Sequence, residues 1–223
     1  NTRDREIPKE TWAPPTGVGH YIIGGVKFDV PKEFLGWGKW EPDGEKEGLL
    51  FSFHYPDMSR PSRADIVEVG SLIVSLNERK EKRTICYEKN HPESCYTSVQ
   101  SYYHLLASGY NQPPANLNPP PAYRKDLELY AFIRPSGAHP KEVFYAGDLE
   151  RPTYWLICGF RKGEQGEKFN VNASCRSEFI YRENFYIRLS FRRELLAEHR
   201  QVHQAIIDKI DSFIDQNYKT EKD

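Results

Sequence analysis

Hydrophobic and polar positions alternate along most of this chain. Over residues 21–30, Val26, Phe28 and Val30 are spaced by Lys27 and Asp29. A period of two is the mark of a strand with one buried face. Pro31 cannot donate to a ladder and ends it. Gly24-Gly25 reads as a bulge or a close backbone approach. Comparable patterns predict strands at 49–55, 66–76, 85–87, 127–133, 143–145, 154–160, 169–175, 179–181 and 185–191. In the last of these, Phe185, Ile187, Leu189 and Phe191 share a face. The polar, glycine-containing run 162–167 predicts a hairpin turn. Counted about that turn, Cys158 faces residue 171. Residues 97–106 show helical spacing at Val99, Tyr102, Tyr103 and Leu106.

The final element has the strongest pattern. From residue 193 to about 216 there is neither Pro nor Gly. At 100° per residue, Leu195, Leu196, Val202, Ile206, Ile207, Ile210, Phe213 and Ile214 fall in one arc, as in an amphipathic helix packed on a sheet. Its expected length is about 24 residues, or roughly 36 Å. The fold class is therefore α+β, with mainly antiparallel sheets and a long C-terminal amphipathic helix.

Punctuation divides the chain. Residues 1–18 are polar, contain Pro8, Pro14 and Pro15, and read as a flexible leader. Residues 113–121 hold five prolines in nine positions, a composition that makes stiff, extended chain. Residues 112–122 are then a linker or projecting loop between a first α+β half (19–111) and a second (123–223). Each half has a strand cluster followed by a helical segment, which suggests two similar halves. The mixed-charge run 77–83 reads as a solvated hairpin tip.

Composition narrows the class. The chain has 223 residues, 31 Lys+Arg against 32 Asp+Glu, and a net charge of -1. Such a balance argues against nucleic-acid binding through bulk charge. Mean hydropathy is -0.73, yet aromatic residues make up 13%, too many for a disordered chain. No apolar run approaches the roughly 18–20 residues of a membrane span. The chain begins Asn1-Thr2-Arg3-Asp4, as expected if a signal segment has been removed or a boundary falls there.

Four cysteines, Cys86, Cys95, Cys158 and Cys175, are spaced C-x8-C and C-x16-C. Neither spacing suits a zinc knuckle or a C-x-x-C redox motif. An even count points to disulfides in an oxidising compartment. Three connectivities are open. Short loops close most easily, which favours Cys86–Cys95 and Cys158–Cys175, although the 171 register weighs against the second.

Chemistry-bearing motifs are few. His199 and His203 stand at i, i+4 inside the apolar arc, without the Glu of H-E-x-x-H, so packed core or rim histidines are expected in preference to a metal pair. There is no G-x-S-x-G elbow and no glycine-rich phosphate loop. Asn172-Ala173-Ser174 fits the glycosylation sequon, a triplet common by chance. Tyr102, Tyr103, Tyr110 and Tyr123 bracket the proline-rich segment. Tyrosine adds contact area and a polar tip at low entropy cost, and a stiff loop loses little freedom on docking.

Two stretches resemble a known family. Residues 21–35, YIIGGVKFDVPKEFL, are similar to the opening of many periplasmic immunity proteins. Residues 185–214, FYIRLSFRRELLAEHRQVHQAIIDKIDSFI, are similar to their last strand and final helix. The resemblance covers about 45 residues. It implies a non-enzymatic antitoxin that neutralises a type VI secretion effector of the lipase or phospholipase class, by blocking its active site or its approach to the membrane. It implies a periplasmic location, with room for a lipid anchor on a removed N-terminal segment. The family shares no catalytic motif, so no site residue transfers. Contacts are expected on loops, here Glu88, Asn90, His91 and Glu93, and Tyr110 and Tyr123. No cofactor, metal or nucleic acid is expected. The rival readings are an extracytoplasmic enzyme with dispersed catalytic residues, and a cell-envelope module stacking glycan or lipid on Trp37, Trp40 and Tyr55.

Overall fold

The computed structural model describes residues 16–36, 42–60, 69–78, 84–86, 95–97, 118–134, 141–147, 152–160, 173–182 and 185–215. The fold is α+β and mostly antiparallel. Its first strands are β1 (Val18–Ile23) and β2 (Val26–Pro31), which pair antiparallel. The expected single strand at 21–30 is thus a hairpin. Gly24 (φ 54°) and Gly25 (φ 78°) are both left-handed, the requirement of a two-residue turn that matches strand twist. A short parallel strand, β3 (Gly44–Glu45), completes this small sheet on the other side of β1.

Among the described residues the main sheet has eight strands. In spatial order these are β4 (Gly48–His54), β5 (Ser71–Glu78), β13 (Phe185–Arg192), β12 (Ser174–Tyr181), β11 (Pro152–Gly159), β10 (Lys141–Gly147), β9 (Leu129–Arg134) and β8 (Ala122–Arg124). Strands from before and after residues 112–122 enter one sheet where β5 pairs with β13. A separate two-stranded ladder joins β6 (Thr84–Cys86) to β7 (Cys95–Thr97). Beyond Thr97, the helix expected to 106 lies outside the described residues. Edge strand β8 is only three residues long; Pro119, Pro120 and Pro121 immediately before it lack the N–H that a longer ladder needs.

Period-two patterning gives the main sheet two unlike faces. One carries Phe51, Phe53, Leu72, Val74, Leu76, Ile187, Leu189 and Phe191, all buried. Helix α1 (His199–Asp211) lies in this core through Val202, Ile206 and Ile210. The β1–β2 hairpin adds Tyr21, Ile23, Phe28 and Val30, and the Phe28 ring meets Phe185 edge-on at 5.8 Å.

The helix is shorter than its periodicity predicts. Arg193–Glu198 forms 3-10 turns, and the α-helix ends at Asp211. Its end is set by competition with a sheet edge. The Asp29 amide donates to the Phe213 carbonyl at 2.7 Å, and the Asp215 amide to the Lys27 carbonyl at 3.1 Å. Lys27 Nζ also meets Asp215 Oδ2 at 2.9 Å. The residues after the helix therefore extend the β1–β2 sheet, and Phe213 turns inward. Its ring lies 5.7 Å from Phe34, 5.9 Å from Phe51 and 6.3 Å from Phe53. Lys209 Nζ sits 4.3 Å over the Phe34 ring.

The expected register about residues 162–167 is corrected here. Cys158 stands opposite Cys175, not residue 171. The two cysteines form a disulfide across the β11–β12 pair. Cys86 and Cys95 are opposite one another in the β6–β7 backbone; their side chains lie outside the described residues.

Phe213 joins hairpin, sheet and helix end, and its truncation leaves a cavity none of them can fill alone. Phe213→Ala is expected to cost about 3–5 kcal/mol, read as a lower urea midpoint at an unchanged m-value. A loss below about 1 kcal/mol would mean that the aromatic cluster does not hold these elements together.

Candidate partner-binding face

The second face of the main sheet is built by the alternate residues of the same strands. The register aligns them in rows. Leu50, Ser75, Arg188, Glu178, Trp155, Tyr145, Tyr130 and Tyr123 stand side by side from β4 to β8. In a neighbouring row stand Ser52, Ile73, Ser190, Arg176, Ile157, Val143 and Phe132.

The rows change character midway. On β9, β10 and β11 they are aromatic and aliphatic. Val143, Tyr145 and Trp155 are buried in a second apolar cluster, and the Phe132 and Tyr145 rings stack at 5.9 Å. On β4, β5 and β13 the face is lined by serines and stays open. Leu50 and Ile73 project from it at 44% and 40% exposure. The Glu178–Arg188 pair marks the boundary: Glu178 is fully buried, and Arg188 Nη2 approaches its Oε1 at 3.2 Å. A buried carboxylate needs such a partner, because an unpaired charge away from water is costly.

A second buried carboxylate braces the opposite face. Glu142 Oε2 receives Arg193 Nη2 at 2.6 Å, and its Oε1 meets Arg124 Nη1 at 3.4 Å. Arg193 also lies 5.2 Å over the Phe160 ring. This network ties β8 and β10 to the segment that leads into α1. Sequence patterning did not single out these residues, since no local spacing links positions 124, 142 and 193.

Of the contact residues expected from sequence, Tyr123 is in view. It is 55% exposed on β8, with its ring 5.1 Å from Tyr130. It therefore closes the aromatic row at the sheet edge. Glu88, Asn90, His91, Glu93 and Tyr110 lie outside the described residues, as do Trp37, Trp40, Tyr102, Tyr103 and Asn172. Tyr55 is held in place by its hydroxyl, which donates to Glu198 Oε2 at 3.0 Å.

His199 packs as a core group, and His203 is half-buried at the core's edge. His199 is buried and donates from Nε2 to the Leu127 carbonyl at 3.3 Å. His203 Nε2 lies 3.0 Å from Ser177 Oγ in a hydrogen bond, and its ring stacks on Phe179 at 4.7 Å. Among the described residues no group of three or more His, Cys, Asp or Glu is placed to hold a metal ion. No described helix is long and apolar enough to cross a membrane.

No protein-family model matches the chain, and no curated protein matches it by sequence. Two solved structures are similar. One is Smlt3025, an immunity protein of the Stenotrophomonas maltophilia type IV secretion system. It shares 15% identity at a TM-score of 0.58, over 90% of this chain and 94% of that one. The other is the iron-regulated outer membrane lipoprotein FrpD of Neisseria meningitidis, with 12% identity and a TM-score of 0.49, over 91% of this chain and 96% of that one.

Burial holds the His203 imidazole down to about 3, helped by the nearby His199. Burial also lowers His199 below its ordinary 6.5. The unfolded chain takes up these protons below about pH 6.5, whereas the folded chain resists them. Stability is then full above that pH and falls as pH drops toward the folded values, by up to about 1.4 kcal/mol per pH unit for each histidine. The urea midpoint should fall between pH 7.5 and 5.0, and His203→Gln should flatten that fall. An unchanged wild-type midpoint over this range would contradict a pair held neutral by the fold.

Proposed function

We propose that this chain is an immunity protein that binds and neutralises a secreted toxin. The observation that carries the reading is the fold, held in common with the Stenotrophomonas maltophilia immunity protein over nearly the whole of both chains. The Cys158–Cys175 disulfide supports an oxidising, extracytoplasmic setting, and we place the protein in the periplasm. The mode of action is association, not bond-making. Its expected contacts are the 88–93 segment and the stretch from Tyr110 to Tyr123.

The class of toxin rests on the sequence resemblance of residues 21–35 and 185–214. It points to a lipase or phospholipase effector, blocked at its active site or kept from its lipid. The similar solved protein serves a type IV system, whereas the resemblance points to type VI. The lipase assignment stands apart from the choice of secretion system, because the toxin's enzymatic class can be assayed directly.

The test uses the product of the gene adjacent to that of this chain, directed to the periplasm of a susceptible bacterium. Co-expression of the chain should restore growth, and the purified chain should suppress phospholipid hydrolysis by that product. Combined alanine substitutions at Glu88, Asn90, Glu93, Tyr110 and Tyr123 should weaken the complex at least tenfold, as interface tyrosines often carry 1–2 kcal/mol each, by rough estimate. Growth arrest undiminished by the wild-type chain would overturn the immunity role. Full protection by the alanine variant would overturn only the placement of the contacts.

A further inference from the structure

We infer that the open face over β4, β5, β13 and β12 docks an acidic surface of a protein partner. The inference deepens the proposed function, on which it rests, by naming the face and the chemistry of the toxin surface it meets.

The register produces the same pattern twice. In one row an exposed Leu50 is followed by Ser75 and then Arg188; in the next, an exposed Ile73 is followed by Ser190 and then Arg176. Each aliphatic side chain thus stands two strands, or about 10 Å, from an arginine. The serine between them is short and leaves the approach flat. Single exposed aliphatics are ordinary on protein surfaces. Two in adjacent rows on neighbouring strands, each with an arginine across a serine, form a contact pattern.

The charge on this face has one sign to spare. Arg188 is matched by Glu178 and Arg192 by Glu194. Arg176 and Lys141 are exposed and make no ion pair with a described residue. Among the described residues, the three arginines of this face stand against two acids, and Lys141 on β10, two strands from β12, adds a fourth cation beside it, a local surplus of two positive charges on a chain whose net charge is -1. Arginine suits this role because its planar fork grips a carboxylate with two hydrogen bonds. The outer edge of β4 is already engaged: the Gly36 amide donates to the Leu50 carbonyl at 2.6 Å, and Leu35 bridges Phe51. A partner would therefore meet the face in preference to adding a strand there.

A protein surface fits better than a nucleic acid or a lipid bilayer. A surplus of two charges is small for a phosphate backbone, which is bound through many cations. Two isolated aliphatic side chains are also too few to enter a bilayer.

The experiment measures the dissociation constant of the full chain with the adjacent-gene product at 50 and 300 mM NaCl. Arg176→Glu combined with Lys141→Glu should weaken binding at least thirtyfold at low salt and flatten its salt dependence. Both positions are exposed, so the thermal midpoint should stay within a degree or two of wild type. Ile73→Ser alone should weaken binding about tenfold. Wild-type affinity in the double variant, with neutralisation intact, would overturn this inference and leave the proposed function standing. Failure of the wild-type chain to bind would overturn both. Parallel arms use a 30-residue single-stranded DNA and phosphatidylglycerol vesicles; tight binding of either, abolished in the double variant, would assign the face to that class and overturn the protein partner.

Discussion

A sheet has two faces, and among the described residues the helical layer lies on one of them. At about 1.5 Å per residue, the 13 residues of α1 reach roughly 20 Å, whereas eight strands about 4.8 Å apart span roughly 34 Å. The β1–β2 hairpin shares the task, and Phe213 locks hairpin, helix and sheet together. The core thus closes on one side. The other face divides into an aromatic part buried around Trp155 and a serine-rich part left open with Leu50 and Ile73 on it. The proposed docking face follows from that asymmetry.

Charge placement follows the same division. Among the described residues both buried carboxylates have arginine partners: Glu142 has Arg193 and Arg124, and Glu178 has Arg188. Such pairs are weak sources of net stability, but removal of one member leaves an uncompensated charge. With Glu178 paired within the sheet, the exposed Arg176 of the open face has no ion-pair partner among the described residues. A near-neutral chain can therefore carry a locally positive face. Electrostatic complementarity of this kind mainly raises the rate and selectivity of association.

Much of the fold was legible in the sequence, for local reasons. The alternation in residues 185–191 and the arc of apolar residues from Leu195 to Phe213 reflect core burial on one side, and both elements exist. Their limits were less legible. The helix stops early because Phe28 bridges Ile214, a pairing between residues far apart in the chain. Gly24-Gly25 reads as a bulge or a close backbone approach, although flanking alternation is also the signal of a hairpin. Cys158 meets Cys175 through the β11–β12 register, which composition does not reveal. Tyr123 was visible as a surface candidate through its neighbourhood of prolines and tyrosines. The open-face rows were invisible, since Leu50, Ile73, Arg176 and Arg188 come together only through the strand register.

The most direct test of the account is a hydroxyl-radical footprint of the full chain, alone and in complex with the toxin it neutralises. The account predicts that Leu50 and Ile73 lose reactivity in the complex, while residues exposed on the helical side, such as Val18, keep theirs. Protection confined to the helical side, with Leu50 and Ile73 as reactive as in the free chain, would contradict it.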